Sequence, residues 1–396
     1  MKAPTHNSKN HTCTQQVLSA VKLHHWTYSS TEFTYNKLGL RESIQYPDGT
    51  SANYSYDPLG RLEQVKDSAG NVTNYSYDAL NRLLEKTLPN GTTTTHTYNE
   101  LGRLTELAAA QGNEVLDQLT YTHDPLGNIT GIEKQRAGIE ADSGRFTYSY
   151  DALSRLTEVK SPKGTHAYSY DSLGTRVSAD INGDVTTYSY NSLNQLVQEL
   201  SSSTEKTFEY DQTGNLSKVF RLGNLESEYH FNAQGLLERA ITPTGTAQYS
   251  YNALGKRVSS TTEAAGHTSV QTDYLLDLTR PYHDLLSLNT NGETQNFIWE
   301  LEDVVSAQSG NETNYYTHDH LLSPLRLIGH DGASAEALST KRNTCTQQVS
   351  NAVWHHHGTL SSIEFAMTKM MISYACSKTE SCQRFLPQCA SPKLKY

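Results

Sequence analysis

The sequence is poor in aliphatic side chains. Of its 396 residues, 36% belong to the set Ala, Val, Ile, Leu, Met, Phe, Trp, Tyr and Cys, and 25 of these are Tyr. Replacing the 25 Tyr by the 25 Gly leaves the share unchanged, whereas ordinary globular chains reach roughly 45–50% on the Gly-containing count. Charged residues, at 19%, are too few for a highly charged disordered chain. The composition favours β-structure with many turns.

Three further absences limit the function classes. The formal net charge of −10 opposes a nucleic-acid-binding scaffold, because phosphate contacts need a basic face. No apolar run approaches the roughly 20 residues of a membrane-spanning helix, and residues 1–17 lack the apolar stretch of a secretory signal. We therefore expect a cytoplasmic protein, export to the outside or the cell surface by a signal-independent route, or a missing natural N-terminus.

Cysteine is also scarce. The five Cys leave none between residues 14 and 344, so we expect no disulfide framework over the body of the chain. The spacing of Cys376, Cys382 and Cys389 is not a recognised zinc pattern.

Internal repetition is the strongest positive signal in the sequence. A unit of the form aromatic-x-Tyr-(Asp/Asn)-x-Leu-Gly-x-Leu occurs eleven times, at separations of 20 to 27 residues. Its Asp or Asn is found at Asn36, Asp57, Asp78, Asn99, Asp124, Asp151, Asp171, Asn191, Asp211, Asn232 and Asn252.

Each part of the unit has a physical interpretation. Two aromatics separated by one Ser, as in Tyr54-Ser55-Tyr56, fall on one face of a half-buried strand. The following Asp-x-Leu-Gly carries the residues of a type I turn, in which the Asp carboxylate accepts a hydrogen bond from the backbone two residues on. Leu occupies the third turn position in nine of the eleven copies. We interpret this Leu as an anchor that is buried against the neighbouring repeat.

A second strand and a second, Gly-rich turn complete the unit, as in Asn90-Gly91 and Asn182-Gly183. The predicted fold class is therefore all-β, an antiparallel array of hairpin repeats. A twisted sheet of so many strands must coil or curl into an open or partial shell. With so few aliphatic residues, we do not expect the curled sheet to enclose a conventional packed core.

These units resemble the YD repeats of the Rhs (rearrangement hot spot) family, which also occur in the C components of insecticidal toxin complexes and in teneurins. The resemblance covers residues 33–331. Beyond the eleventh unit, Asn296-Phe297-Ile298-Trp299 and Tyr315 to Arg326 resemble the opening of the Rhs-associated core. The resemblance implies a hollow β-shell that encloses a C-terminal toxin. It implies a structural role for a set of repeat residues: Tyr54, Tyr56, Asp57, Gly60, Tyr75, Tyr77, Asp78, Tyr148, Tyr150, Asp151, Tyr168, Tyr170, Asp171, Gly174, Tyr210, Asp211 and Gly214.

The chain departs from the family pattern toward its C-terminus. After about Ser339 there is no counterpart of the rest of the core, and family shells have more than eleven repeats. We expect an incomplete shell, open at one or both ends. Our predicted division is residues 1–32 as a non-repeat segment, 33–270 as the YD-repeat array, 271–339 as an incomplete core-like segment, and 340–396 as an unrelated tail.

The two ends share a duplicated segment. Residues 12–33 align without gaps with residues 344–365, with 15 of 22 positions identical. One interpretation is a paired module with a metal site, using Cys13, His24 and His25 or the corresponding Cys345, His356 and His357. The other is a gene fragment lying between two copies of a duplicated DNA segment. Adjacent His residues do not share one face of a strand or helix, which favours the second interpretation.

Catalytic signatures are missing from the sequence. It has no Gly-x-Ser-x-Gly elbow, His-Glu-x-x-His, P-loop, dinucleotide fingerprint or EF-hand loop. We predict no catalytic, cofactor-binding or metal-binding residues, and a non-enzymatic scaffold whose partner is a toxin domain or a secretion apparatus. His318 and His320 are interpreted as structural. Two alternatives stay open: a carbohydrate-binding surface protein that stacks sugars on Tyr, and a toxin effector that acts through residues 340–396.

Overall fold

The computed structural model describes residues 12–16, 30–264, 266–280, 284–300, 303–332 and 334–337. In these ranges the chain forms thirty strands of a single antiparallel sheet. Every strand pairs with the next strand along the chain, so the sheet is one long meander, and none of the described pairings joins its first strand to its last. The predicted all-β repeat array, an open β-shell, is confirmed.

The first eleven strands are β1 Thr12–Gln16, β2 Ser30–Tyr35, β3 Arg41–Gln45, β4 Ser51–Tyr56, β5 Leu62–Asp67, β6 Val72–Tyr77, β7 Leu83–Thr87, β8 Thr92–Tyr98, β9 Leu104–Gln111, β10 Glu114–His123 and β11 Ile129–Arg136. A short 3-10 helix, Glu140–Asp142, follows β11.

The next twelve strands are β12 Gly144–Tyr150, β13 Leu156–Ser161, β14 Gly164–Tyr170, β15 Arg176–Ile181, β16 Asp184–Tyr190, β17 Leu196–Leu200, β18 Glu205–Tyr210, β19 Leu216–Arg221, β20 Asn224–Phe231, β21 Leu237–Thr242, β22 Gly245–Tyr251 and β23 Arg257–Ala264. The last seven are β24 Val270–Asp277, β25 Asp284–Thr290, β26 Glu293–Trp299, β27 Val304–Ser309, β28 Glu312–His318, β29 Pro324–Gly329 and β30 Ser334–Ala337.

Two faces and two edges follow from this arrangement. In β4, Tyr54 is buried and Tyr56 is half-buried, whereas Ser55 between them is exposed. We call the side that carries the tyrosine pairs the aromatic face. Because the strands run up and down in sequence, all eleven Asp/Asn turns lie at the same edge of the sheet and the Gly-rich turns at the other.

The Asp/Asn turns have a common backbone. The Gly60 N–H donates to the Asp57 carbonyl at 2.9 Å, which closes the turn, and the strand register shifts by one residue between Ser55 and Tyr56. The fourth turn residue is left-handed, with φ of 79° at Gly60, and Asn81, at φ 64°, takes the same conformation where Gly is absent. This is a type I turn followed by a bulge, a common hairpin connection.

The turn leucines correct one prediction. They are exposed, from 70% at Leu80 and Leu254 to 83% at Leu173, so the expected burial against the neighbouring repeat is wrong. The third residue of the turn points away from both faces of the sheet, at the tip of the hairpin. These tips lie along one end of the strands, which we call the leucine edge. The other end of the strands, with the Gly-rich turns, is the opposite edge.

The sheet curls until its last strands cover the aromatic face of its first strands. One buried cluster joins Phe33, Ile44 and Tyr54 of the early repeats to Phe297 and Tyr316 of β26 and β28. A packed core therefore exists, contrary to expectation, because β25–β29 bury apolar runs such as Leu285 to Leu288 against the early repeats.

Hydrogen bonds between distant residues fix this contact. The Tyr46 hydroxyl donates to the Phe297 carbonyl at 2.7 Å, and the Tyr54 hydroxyl donates to the Trp299 carbonyl at 2.9 Å. Nearby, Lys86 forms a 2.7 Å ion pair with Glu300 that is almost fully buried. Residues more than 200 positions apart are thus in contact, which a flat sheet would not allow.

The two long repeat intervals also have a structural counterpart. They extend β9, β10 and β11, and β29 packs on these strands through Leu325, which joins Leu107, Leu119 and Ile132 in a second cluster. The insertions therefore form the surface on which β29 packs.

Candidate functional site

The second tyrosine of most pairs connects neighbouring strands. Its hydroxyl donates to the carbonyl at the start of an adjacent strand, as from Tyr170 to Leu156 at 2.8 Å and from Tyr210 to Leu196 at 2.8 Å. The same bond is made by other members of the set: Tyr56 to Arg41, Tyr98 to Leu83, Tyr150 to Ile129, Tyr190 to Arg176 and Tyr251 to Leu237.

The first tyrosine of each pair lies farther along the strand on the aromatic face. Tyr54 and Tyr75 are buried beneath the C-terminal strands, whereas Tyr148, Tyr168 and Tyr188 are half-buried. Across the ladder Tyr54 faces Val65 and Tyr168 faces Ala179. Because the side chains of Val65 and Ala179 are small, they leave room for the tyrosine rings to lie over the sheet.

The repeat aspartates hold the turns. One carboxylate oxygen of Asp78 accepts backbone hydrogen bonds from Leu80 and Arg82, each at 2.9 Å. The backbone N–H of Arg82 holds the pKa of Asp78 below its usual value, against the opposing effect of desolvation, and the Arg82 guanidinium adds to the lowering. The same turn bonds are made by Asp57, Asp151, Asp171 and Asp211. Gly174 and Gly214 take the left-handed position in their turns, at φ 89° and 83°.

At four of the eleven turns, an arginine that the repeat pattern left unassigned connects the turn to the next one. Arg61 donates to the Asp57 carboxylate at 2.6 Å and to the Asp78 carbonyl of the next turn at 3.0 Å, and its guanidinium lies 4.8 Å from the centre of the Tyr77 ring. Arg82 and Arg155 repeat this arrangement. The signal was available in the sequence, because Arg follows Leu-Gly or its equivalent at four repeats.

A buried charged cluster was also missed by sequence reasoning. The fully buried carboxylate of Asp117 in β10 accepts hydrogen bonds from Arg136 of β11 at 2.9 Å and from Arg326 of β29 at 2.6 Å. Arg136 also pairs with Asp142 of the short helix at 2.6 Å. The arginines further satisfy backbone carbonyls such as that of Leu325. No local motif predicts a contact between residues about two hundred positions apart.

Two histidines lie near Lys86: His96 of β8 is half-buried and His318 of β28 is buried. Desolvation lowers the pKa of His96 to about 4, and Lys86 contributes to the lowering. Desolvation also lowers the pKa of His318 well below its usual value. His320 packs edge to face on Tyr121, with a 3.1 Å contact between ring nitrogen and hydroxyl. All three side chains serve contacts between strands.

The aromatic face is not covered along its whole length. In β14 to β17 the rings of Tyr168, Tyr170, Tyr188 and Tyr190 are all half-buried, and among the described residues no strand packs over them. The guanidinium of Arg176 lies 4.7 Å from the Tyr188 ring centre and 5.8 Å from that of Tyr168. This stretch is an accessible aromatic surface.

Among the residues that the structure describes, no group of three His, Cys, Asp or Glu side chains is placed to hold a metal ion. Cys13 lies in β1, while His24, His25 and the second copy of the duplicated segment are outside the described residues. In the part of the chain that the structure describes, no helix is long and apolar enough to cross a membrane.

Comparison with known proteins agrees with the repeat geometry. A model of the teneurin YD-shell matches residues 85–338, more than half of the chain, and a model of the RHS repeat matches residues 35–72 and 56–89. No curated protein sequence matches the chain.

Solved toxin-complex structures have a similar fold. The TcdB2–TccC3–TEV crystal structure aligns with a TM-score of 0.57 at 15% identity over 83% of this chain and 19% of that one. The pore of the Photorhabdus luminescens Tc holotoxin with a TccC3 mutation aligns with a TM-score of 0.55 at 15% identity, over 78% of this chain and 17% of that one. This chain thus spans about a fifth of the length of the chains that it resembles.

Proposed function

The chain belongs to the teneurin YD-shell family, and from this we propose that it is a non-enzymatic scaffold that holds a polypeptide cargo against its aromatic face. In the toxin shells that it resembles, the corresponding cargo is a toxin domain. The observation that carries the proposal is the accessible aromatic surface on β14–β17, which continues the face that β25–β29 already cover.

The chemistry of that surface suits a polypeptide. Tyrosine rings offer apolar contact area and a polar edge, and they lose little conformational entropy on binding. Arg176 adds a cation between Tyr168 and Tyr188, and Glu199, directly across the ladder from Tyr188, adds a carboxylate. Burial raises the pKa of Glu199, against the opposing effect of the nearby Lys206 and Arg176.

The chain contains a segment of suitable charge. Residues 340–396 hold seven Lys and Arg against two Glu, whereas the whole chain has a net charge of −10. The excess negative charge therefore lies in residues 1–339. Opposite charges favour association of the tail with the shell, and we propose the tail as the cargo.

Limited proteolysis of the full chain tests this proposal. Trypsin can cut the tail after Lys369, Lys378 and Arg384. We expect cleavage there to be roughly tenfold slower in the full chain than in a peptide of residues 340–396, since a bound segment must be released before it is cut. The double variant Tyr168→Ser/Tyr188→Ser should remove the protection.

A matched control uses the other face of the same strands. Ser169 and Ser189 are exposed beside these tyrosines, so Ser169→Ala/Ser189→Ala should leave the protection unchanged. Equal cleavage rates in the peptide and in the full chain would rule out the tail as cargo, with far-UV circular dichroism confirming that the sheet is intact.

Sugar binding is the second candidate, because half-buried tyrosines offer ring surface. The guanidinium of Arg176, 4.7 Å from the centre of the Tyr188 ring, leaves less of that ring face for a sugar to stack on. Glycan-array binding that Tyr168→Ser/Tyr188→Ser abolishes would favour this candidate. Growth inhibition by residues 340–396 expressed alone in bacteria would instead favour the toxin-effector alternative.

A further inference from the structure

Nine exposed leucines form a row along the leucine edge. They are Leu38, Leu59, Leu80, Leu101, Leu126, Leu153, Leu173, Leu193 and Leu254, each 70–83% exposed. Successive Asp/Asn turns are two strands apart, so neighbouring leucines in adjacent repeats are separated by roughly 10 Å along the edge. Scattered exposed leucines are normal, but a regular row at one edge is a contiguous apolar feature.

The turn itself does not require leucine. At the two exceptions, Thr213 and Gln234 occupy the same position, and their backbone N–H groups donate to Asp211 and Asn232 at 2.9 Å as leucine does elsewhere. Since polar residues fit the turn and leucine gains no burial there, an intermolecular contact is the remaining physical reason for nine leucines among eleven repeats.

The area of the row matches that of a stable dimer. Burying one leucine side chain removes roughly 60–120 Å² from water. Nine leucines then remove about 500–1,100 Å² from each partner, against about 800 Å² per partner in interfaces of standard size.

The charges at this edge permit close approach of two copies. Arg61 neutralises Asp57, Arg82 neutralises Asp78, and Arg155 neutralises Asp151 within the same turn. The net charge of the chain is therefore not concentrated at these turns, and the leucines can meet without strong repulsion between like charges.

We propose that the leucine edge binds the leucine edge of a second copy of this chain, so that two open shells join edge to edge. Another copy presents leucines at the same spacing, and a two-fold axis makes the contact self-complementary. With the rows running in opposite directions, the sixth of the eleven turns meets its own counterpart, which places Leu153 near the axis. This inference does not depend on the identity of the cargo.

The mass of the full chain in solution tests the proposal. Analytical ultracentrifugation at about 10 µM should give twice the chain mass. Replacing Leu101, Leu126, Leu173 and Leu193 by Gln, which the chain already tolerates at Gln234, should weaken the dimer at least roughly tenfold, because four leucines in the centre of the row lose their apolar contact.

The control variant changes exposed apolar residues at the opposite edge. Ile181→Gln/Val185→Gln/Leu225→Gln alters side chains that are 47–53% exposed and should leave the dimer intact. Oxidation of Leu153→Cys should give a 153–153 disulfide, identified by peptide mass spectrometry, whereas Leu225→Cys should not link two copies.

Three results would overturn the proposal: a monomeric wild-type chain at this concentration, equal dissociation of the control variant, or cross-linking through position 225 in place of position 153. Circular dichroism of each variant separates loss of the dimer from loss of the fold.

Discussion

At the scale of single residues, the repeats are held together by tyrosine hydroxyls and arginine side chains. Tyr170 reaches the carbonyl that begins the preceding strand, and Arg155 connects its own turn to the next. The Leu156 carbonyl lies at the start of a strand, and the Asp171 carbonyl accepts the Arg155 contact in addition to the turn hydrogen bond from the Gly174 N–H. The repeat thus carries its own connection to the next repeat.

The hydroxyl contact can be tested at one repeat. Tyr170→Phe removes the hydrogen bond to Leu156 but keeps the ring, so we expect the free energy of unfolding to fall by about 1 kcal/mol. Tyr168→Phe is the control, because this hydroxyl makes no hydrogen bond in the described structure, and its effect should be smaller. Urea unfolding of both variants measures the difference, and equal effects would contradict the assigned role.

Individual residues were only partly predictable from sequence. The two-residue period places Tyr54 and Tyr56 on one face and Ser55 on the other, and the structure agrees. The burial predicted for Leu59 is wrong, because recurrence of an apolar residue does not by itself indicate burial. Position at a hairpin tip, outside both faces, was the stronger physical constraint.

At the scale of elements, the lengthened strands β9–β11 form the surface on which β29 packs. Asp117 is the centre of the contact, since Arg136 and Arg326 both donate to its carboxylate. A buried ion pair contributes little net stability, but removing one partner leaves uncompensated buried charge. The cluster therefore favours one placement of β29 over others.

Substitution of Asp117 tests this contact between β29 and β9–β11. Asp117→Ala leaves the buried Arg326 guanidinium without its carboxylate and that of Arg136 with Asp142 alone, and we expect a loss of about 3–5 kcal/mol in the free energy of unfolding. Hydrogen exchange of the β29 amides should accelerate. Lys160→Ala breaks an ion pair with Glu158 in which Lys160 is 60% exposed, and it should cost less than about 0.5 kcal/mol. Similar effects of the two variants would refute the assigned role.

The region around Lys86, which includes His96 of β8 and His318 of β28, should respond to pH. His96 and His318 have lowered pKa values in the fold, whereas an unfolded histidine titrates near ~6.5. The unfolded chain therefore binds more protons below that pH. The histidine contribution is fully present above pH ~6.5 and is lost as the pH falls toward the folded pKa values.

The double variant His96→Asn/His318→Asn should flatten the slope of stability between pH ~6.5 and ~4. Lys86, Glu300 and Asp303 lie near these histidines, so the slopes are compared in the upper part of this window, above pH ~5, where most carboxylates are still ionised. An unchanged slope in urea unfolding at several pH values would contradict the assignment.

The strands and turns of the array are the part of the structure that the sequence predicts best. The repeat period gives the strands and turns of the array, because each unit is a hairpin with its own turn residues. The intervals of 25 and 27 residues between Asn99, Asp124 and Asp151 were visible, but their purpose was not. It depends on Arg326, which is distant in sequence and comes into contact only after the sheet curls.

At the scale of the whole molecule, the sheet curls so that its last strands cover its first strands, and none of the described pairings joins the first strand to the last. The aliphatic residues of β25–β29 have no apolar layer of their own and become buried on the aromatic face of the early repeats. Average composition could not predict this, because it does not show which apolar residues become buried when the sheet curls. The shell therefore has a packed region over β2–β8 and an accessible aromatic surface over β14–β17.

The central claim is that the last strands of one curled sheet lie on its first strands. Spin labels introduced as unnatural amino acids at Gln45 and Thr294, both exposed, allow their separation to be measured by pulsed electron resonance. Two packed layers predict a distance of roughly 15–35 Å, label arms included, because stacked sheets are about 10 Å apart. A flat or loosely coiled sheet separates β3 from β26 by up to ~110 Å at about 4.8 Å per strand, and a distance well beyond 50 Å would contradict the account.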